Sequence, residues 1–420
     1  MTMGYHELRF ESGGSARVGG VGASGASAGG AGPKPGPPAI NTGGEACSAW
    51  FFPPEPGDAP APVVVMAHGF AGTKDSGLAG FAERLQAAGL AVLAFDYRGF
   101  GTSEGRLRQQ ISIARQLDDY RAAVDTAVRQ PGVDPDRVVL WGVSLSGGHV
   151  IRLADETRAA AVIALTPLTD VLSTGRHVLS GYGAVTVLRN TADGVRSRIG
   201  AAAGAEPVLM PVVTPDGHRA LLGPGGAYDG YLSIAGPSWR NEIDAAVGLE
   251  LGRISTARYA KRMTAPLLLA AASGAPVPRT ARRFIAFKTR LLLLRLFGPR
   301  VLAKLVARKL FPKPEQEALR LQVQEALGSN DPQIYLRATQ ALIGWTVLPR
   351  IGEISCPVLI LASDHDYTPL SEKQAYAVLL KDARLEEVRD SGHAAPMDQP
   401  AQVSDKARRF FQSLAAPDKA

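Results

Sequence analysis

Ser144 stands in RVVLWGVSLSGG, residues 137–148, where an apolar run passes into a serine between small residues and then into a small-residue helix start. A serine hydroxyl is presented to a carbonyl carbon when a sharp strand-to-helix turn strains its backbone and leaves Oγ exposed. The residues two positions away must then be small, and Gly142 and Ser146 are. Glycine is the more usual residue at position 146, so the motif is a variant, but Gly147 and Gly148 still permit close approach of helix to strand. The pattern is a nucleophile elbow and predicts Ser144 as the nucleophile.

A serine is inert at its own pKa, so it needs a general base, and the base needs an acid to orient it. ARLEEVRDSGHAAPMDQP, residues 383–400, reads as a strand ending in a loop that carries His393 among small residues. Upstream, SCPVLILASDHDYTP, residues 355–369, reads as an apolar strand emptying into a turn with two carboxylates, Asp364 and Asp366. Turns of related hydrolases place the acid close to such a proline, and that resemblance favours Asp366, nearer Pro369; Asp364 instead reads as capping its own turn and stays the alternative acid. The chain order of serine, acid and histidine is that of one hydrolase architecture.

Two further stretches carry the resemblance: VVVMAHGFAGTKD, residues 63–75, and LAFDYRGFGTSEG, residues 93–105. With the elbow and the two C-terminal segments, the chain resembles the α/β-hydrolase superfamily, of the bacterial serine esterase and serine aminopeptidase-like type, over residues 45–170 and 350–415. The resemblance implies a mostly parallel sheet with helices on both faces, no cofactor and no metal. It also implies that the backbone N–H groups of Phe70 and Leu145 form the oxyanion hole. Two such preorganised donors stabilise the charge that acyl transfer builds on one carbonyl oxygen.

The other histidines carry no such pattern. His68 lies at a strand end before Gly69 and reads as structural, and His149 reads as core. His6, His177, His218 and His365 have no metal-ligand spacing. The two cysteines, Cys47 and Cys356, form no redox or metal motif.

An internal similarity stands beside the triad. TAPLLLAAASGAPVP, residues 264–278, aligns without a gap to residues 355–369, proline facing proline at both ends. The carboxylates are missing from this first copy: Ser273 faces Asp364 and Ala275 faces Asp366. The chain therefore reads as a fusion of two hydrolases with one complete set of catalytic residues. Three parts are expected: residues 1–170 as the N-terminal part of the core, 171–350 as a lid insertion containing the degenerate copy at 264–278, and 351–420 as the C-terminal part of the core.

Within the first part, residues 6–14 and 43–54 read as a hairpin. The Gly, Ala, Ser and Pro tract at 15–42 has almost nothing to bury and reads as a disordered loop. Alternating apolar strands and helices follow, as in a parallel sheet covered on both faces. In the lid there is no Asp or Glu from Leu251 to Pro314, so the formal charge of +7 is concentrated there. The stretch RRFIAFKTRLLLLRLFGPRVLAKLVARKLF reads as two apolar, basic helices broken at Gly298–Pro299. They suit a cover over an acyl pocket, or weak contact with a membrane surface or lipid. No motif for nucleic acid accompanies the charge. An N-terminus without a long apolar run implies a cytoplasmic protein.

The residues together predict hydrolysis of carboxylic esters or related small acyl substrates through an acyl-enzyme. An aminopeptidase, an acyltransferase, or a catalytically impaired fusion are the alternatives.

Overall fold

The computed structural model describes residues 4–12, 44–168, 184–270, 281–328 and 348–415, together with 332, 335 and 336, apart from short gaps at 58, 216–217, 223–226, 253, 255, 261, 266, 355–356 and 367. The glycine-rich tract at 15–42 lies outside the described residues.

The chain opens with β1 (His6–Ser12) and β2 (Glu45–Phe52), which pair antiparallel, from His6 opposite Phe51 to Ser12 opposite Glu45. Then β3 (Ala61–Ala67), α1 (Ala79–Ala87), β4 (Ala91–Phe95), α2 (Ile113–Ala127), β5 (Val133–Val143), α3 (Leu145–Leu153) and β6 (Ala161–Leu165) alternate. Residues 184–260 supply α4 (Ala184–Ala202), β7 (Leu209–Met210), α5 (Ala227–Ile234), β8 (Ile243–Asp244), α6 (Val247–Leu251) and α7 (Ala257–Ala260), followed by β9 (Leu267–Ala270). The C-terminal third holds α8 (Ala281–Leu310), α9 (Glu317–Gly328), β10 (Val358–Ser363), α10 (Leu370–Ala377), β11 (Ala383–Val388), α11 (Ala395–Asp398) and α12 (Pro400–Ala415).

The main sheet has seven strands in the order β1-β2-β4-β3-β5-β6-β9. From β4 to β9 every pairing is parallel. Parallel strands need cover on both faces, which is why VVVMA and AVLAF run apolar without alternation. The pleat sorts them nonetheless. Val63, Val65, Leu93, Phe95 and Leu140 enter one core with α2 and α3 residues. Val64, Met66, Val92, Ala94 and Trp141 enter the other, with Leu78 and Ala82.

Two observations bear on the expected division of the chain. The first part of the degenerate copy at 264–278 is β9, paired with β6 from Val162 opposite Leu267 to Leu165 opposite Ala270. Its later part, 271–278, falls outside the described residues. Among the described residues of 351–420, β10 and β11 form a parallel two-stranded sheet of their own. Strand pairing uses only backbone groups and an apolar run, so loss of the carboxylates downstream does not prevent β9 from taking the edge of β6. The segment is also anchored, since the Thr264 N–H and hydroxyl both donate to Asp155 Oδ1, at 2.9 and 3.1 Å.

The break at Gly298–Pro299 is present, with Gly298 at φ 74°. Leu291, Leu294, Leu302 and Leu336 form a small cluster of their own. No helix among the described residues is long and apolar enough to cross a membrane.

Candidate active site

Ser144 joins β5 to α3 with φ 56° and ψ −113°, a conformation that a non-glycine residue holds only under constraint. The constraints are visible. The Ser144 N–H donates to Leu165 O at 2.9 Å, and the Leu168 N–H donates to Ser144 O at 2.8 Å, so the turn is bound to the end of β6. A Cβ at Gly142 would stand 2.3 Å from Ser146 O, so this position admits only glycine.

Ser146 does what a glycine could not. It is fully buried, and its Oγ accepts the Val143 N–H and donates to Ala67 O, both at 2.8 Å. Ala67 ends β3 and leads directly into His68–Gly69–Phe70. The hydroxyl thus ties the elbow to the loop that holds Phe70. Spacing gave this position only as small; nothing in the sequence marks a buried tie.

The loop after β3 packs closely on the elbow: a Cβ at Gly69 would lie 3.3 Å from Ser144 Cβ and 3.1 Å from Val143 O. Its backbone is pinned from the other side. Tyr231 Oη donates to Phe70 O at 2.9 Å, and Trp239 Nε1 donates to Ala71 O at 2.9 Å. At its far end the Lys74 N–H and Nζ reach the two oxygens of buried Asp96, at 2.6 and 2.7 Å. Leu145 heads α3, where N–H groups have no acceptor within the helix. Both amides assigned to the oxyanion therefore belong to rigid backbone beside Ser144.

His68 and His149 are core residues. His68 is buried, its Nδ1 lies 2.9 Å from Gly69 O, and burial lowers its pKa. His149 Nε2 lies 2.9 Å from Gln116 Oε1, and burial holds its pKa down to about 3.

The residues expected as acid and base, Asp366 and His393, follow the strands of the small sheet. His393 Nδ1 is 3.0 Å from Asp366 Oδ1, and the His393 ring is half-exposed. The Asp366 side chain is largely covered in a partly buried turn; its Oδ2 also accepts from Lys373 Nζ at 2.6 Å and Thr368 Oγ1 at 2.8 Å. Burial alone would raise its pKa, but the bonds from His393, Lys373 and Thr368 prevail and hold it well below the usual carboxylate range. Asp364 does different work. It accepts the N–H groups of Asp390 and Ser391, at 2.7 and 3.0 Å, and so fastens the histidine loop to the end of β10. Asp398 adds a second fastening, from the Ser391 hydroxyl at 2.8 Å and the Gly392 N–H at 3.0 Å. Lys373 and Asp398 carry no sequence motif and become visible only through α10 and α11.

Two groups are thus built: Ser144 with Phe70 and Leu145 on the main sheet, and Asp366 with His393 on the small one. Among the described residues no hydrogen bond joins Ser144 to His393. No group of three His, Cys, Asp or Glu among the described residues could hold a metal ion. A cavity of about 390 Å³ at the head of α2, lined by Ser112, Arg115, Arg152, Arg198 and Glu250 among others, includes none of these catalytic candidates.

The model of the serine aminopeptidase S33 family matches residues 58–187. The quorum-quenching protein AidA of Acinetobacter baumannii is 40% identical over 225 residues, 53% of this chain and 72% of AidA. The thiohydrolase aneE of Aspergillus aculeatus is 35% identical, and the polyketide transferase ATR5 of Stachybotrys chlorohalonatus 34%, each over 173 residues, 40% of this chain. The chain spans only 54% of the length of either fungal protein. With the strained serine at the head of α3, the parallel sheet behind it, and a relative matched over most of its length, the chain belongs to the α/β-hydrolase superfamily of enzymes.

Proposed function

We propose that the chain is a serine hydrolase of carboxylic esters or related acyl substrates, working through an acyl-enzyme on Ser144. The observation that carries this reading is Ser144 at φ 56° between β5 and α3, with the Phe70 loop packed against it. Ser144 Oγ attacks the acyl carbon, and the carbonyl electrons move onto oxygen, where the Phe70 and Leu145 N–H groups donate to it. One such donor is worth on the order of 10²–10³ in kcat. His393 takes the serine proton at Nε2 and returns it to the leaving alcohol, while Asp366 holds Nδ1–H and stabilises the imidazolium. Water, activated by the same histidine, then releases the acid and restores Ser144.

A second reading has a specific motive. The fungal relatives are named thiohydrolase and polyketide transferase, so the same acyl-enzyme could be loaded from a thioester or resolved by an acceptor other than water. Labelling with a fluorophosphonate tests the shared step, with Ser144→Ala as control: absence of Ser144-dependent labelling would sink both readings. Acyl esters and thioesters of graded chain length, with and without an added alcohol or amine acceptor, then separate hydrolysis from transfer.

A further inference from the structure

One helix carries apolar residues that its own packing does not cover. α8 packs on α9, and its residues Leu291, Leu294, Leu302, Ala303 and Ala307 are buried. Arg290 fastens the same helix to Tyr335, its guanidinium donating to the hydroxyl at 2.6 Å. Away from these positions the helix presents large apolar side chains to solvent: Ile285, Leu292, Leu296 and Phe297 are 63, 55, 65 and 58% exposed, and Val301 and Leu305 are 43 and 48% exposed.

The spacing makes these residues a face. On an α-helix Leu292 and Leu296 point within about 20° of the direction of Ile285. Lys288 and Arg295 flank this row, and both are exposed. Beyond the break at Gly298, Val301 and Leu305 stand about one turn apart among exposed Arg300, Lys304, Arg308 and Lys309. Every ionic residue here is a cation, since the chain has no Asp or Glu from Leu251 to Pro314. An apolar row bordered only by Lys and Arg suits a lipid–water interface, because long basic side chains keep their charges among headgroups while the row enters the acyl boundary.

We infer that the exposed face of α8 is an interaction surface for an anionic lipid bilayer, with the helix lying in the plane of the interface. The charge selects this partner. A second copy would set the same cations against themselves. A nucleic acid would leave Leu292, Leu296 and Phe297 without an apolar partner. An anionic bilayer supplies both phases, headgroup charge for Arg300, Lys304 and Arg308 and acyl chain for the apolar row. None of these residues belongs to the site around Ser144, so the surface stands or falls apart from the chemistry proposed there.

Co-sedimentation of the full-length protein with vesicles tests this, using phosphatidylcholine alone and an equal mixture with phosphatidylglycerol. The mixed vesicles should bind at least tenfold more tightly and should release the protein as salt is raised. Arg300→Gln/Lys304→Gln/Arg308→Gln should weaken binding about 10²-fold, at about fivefold per cation. Leu296→Gln/Phe297→Gln should weaken it about tenfold. Leu188→Gln, at a similarly exposed apolar residue of α4, should leave it unchanged. All these positions are exposed, so each variant should keep the wild-type melting temperature. Equal affinity for the two kinds of vesicle, or wild-type binding by both α8 variants, overturns the inference. If only the cation variant weakens binding and soluble polyglutamate competes with the vesicles, the face takes acidic chains and the lipid surface is overturned. It is equally overturned if the wild-type protein is a dimer that Leu296→Gln/Phe297→Gln dissolves, because a second copy then covers the face.

Discussion

Each proposed catalytic residue is defined by what holds it, and substitutions should follow the holders. Ser144→Ala removes the proposed nucleophile but little packing, so labelling and ester turnover should vanish, a loss of about 10⁴-fold or more, with an unchanged melting temperature. Asp366→Asn should cost about 10⁴ in kcat by favouring the wrong imidazole tautomer. Asp364→Asn should instead loosen the histidine loop and cost far less in kcat, because Asp364 meets the Asp390 and Ser391 amides rather than the ring. Equal losses at 364 and 366 would contradict these separate roles. His149 gives a pH signature. Its folded pKa, about 3, lies below the unfolded value near 6.5, so the unfolded chain takes up the proton first as pH falls. Stability is therefore full above about 6.5 and declines as pH drops toward 3, by on the order of 2 kcal/mol between pH 6.5 and 5. Thermal melts of His149→Gln, read against wild type from pH 7.5 to 5, should show a shallower acid limb.

At the scale of elements, the site depends on two ties between strands. Ser146 joins the end of β3 to the elbow, and Leu165 joins the elbow to β6. Ser146→Ala leaves the Val143 N–H and Ala67 O without this partner in the core and should cost about 1–3 kcal/mol. If the tie also positions the Phe70 amide, Ser146→Ala should slow fluorophosphonate labelling under conditions where the variant remains fully folded. A variant that loses stability but labels at the wild-type rate would restrict Ser146 to a structural role.

Over the whole molecule, apolar packing falls into separate groups. The two large clusters lie within residues 10–265, and a smaller one is built from Leu291, Leu294, Leu302 and Leu336. Units with their own cores unfold as units, so calorimetry should resolve two transitions. Covalent labelling of Ser144 should raise only the one belonging to the main sheet. A single transition would contradict the division.

Local chemistry made much of this legible in the sequence. The elbow around Ser144, the strand–helix alternation, the core histidines and the break at Gly298 all follow from residues close together in the chain, where glycine, apolar runs and breakers act directly on the backbone. The relation between residues 264–278 and 355–369 was likewise visible as a repeat. Which copy takes the edge of β6 was not, because both present the same apolar run and proline, and strand pairing reads backbone and burial rather than the carboxylate downstream. The same holds for Ser146, Lys373 and Asp398, whose partners lie on other elements. Spacing along the chain selects the residue types able to do the chemistry; only the pairing of strands and the burial it creates decides which of them meet.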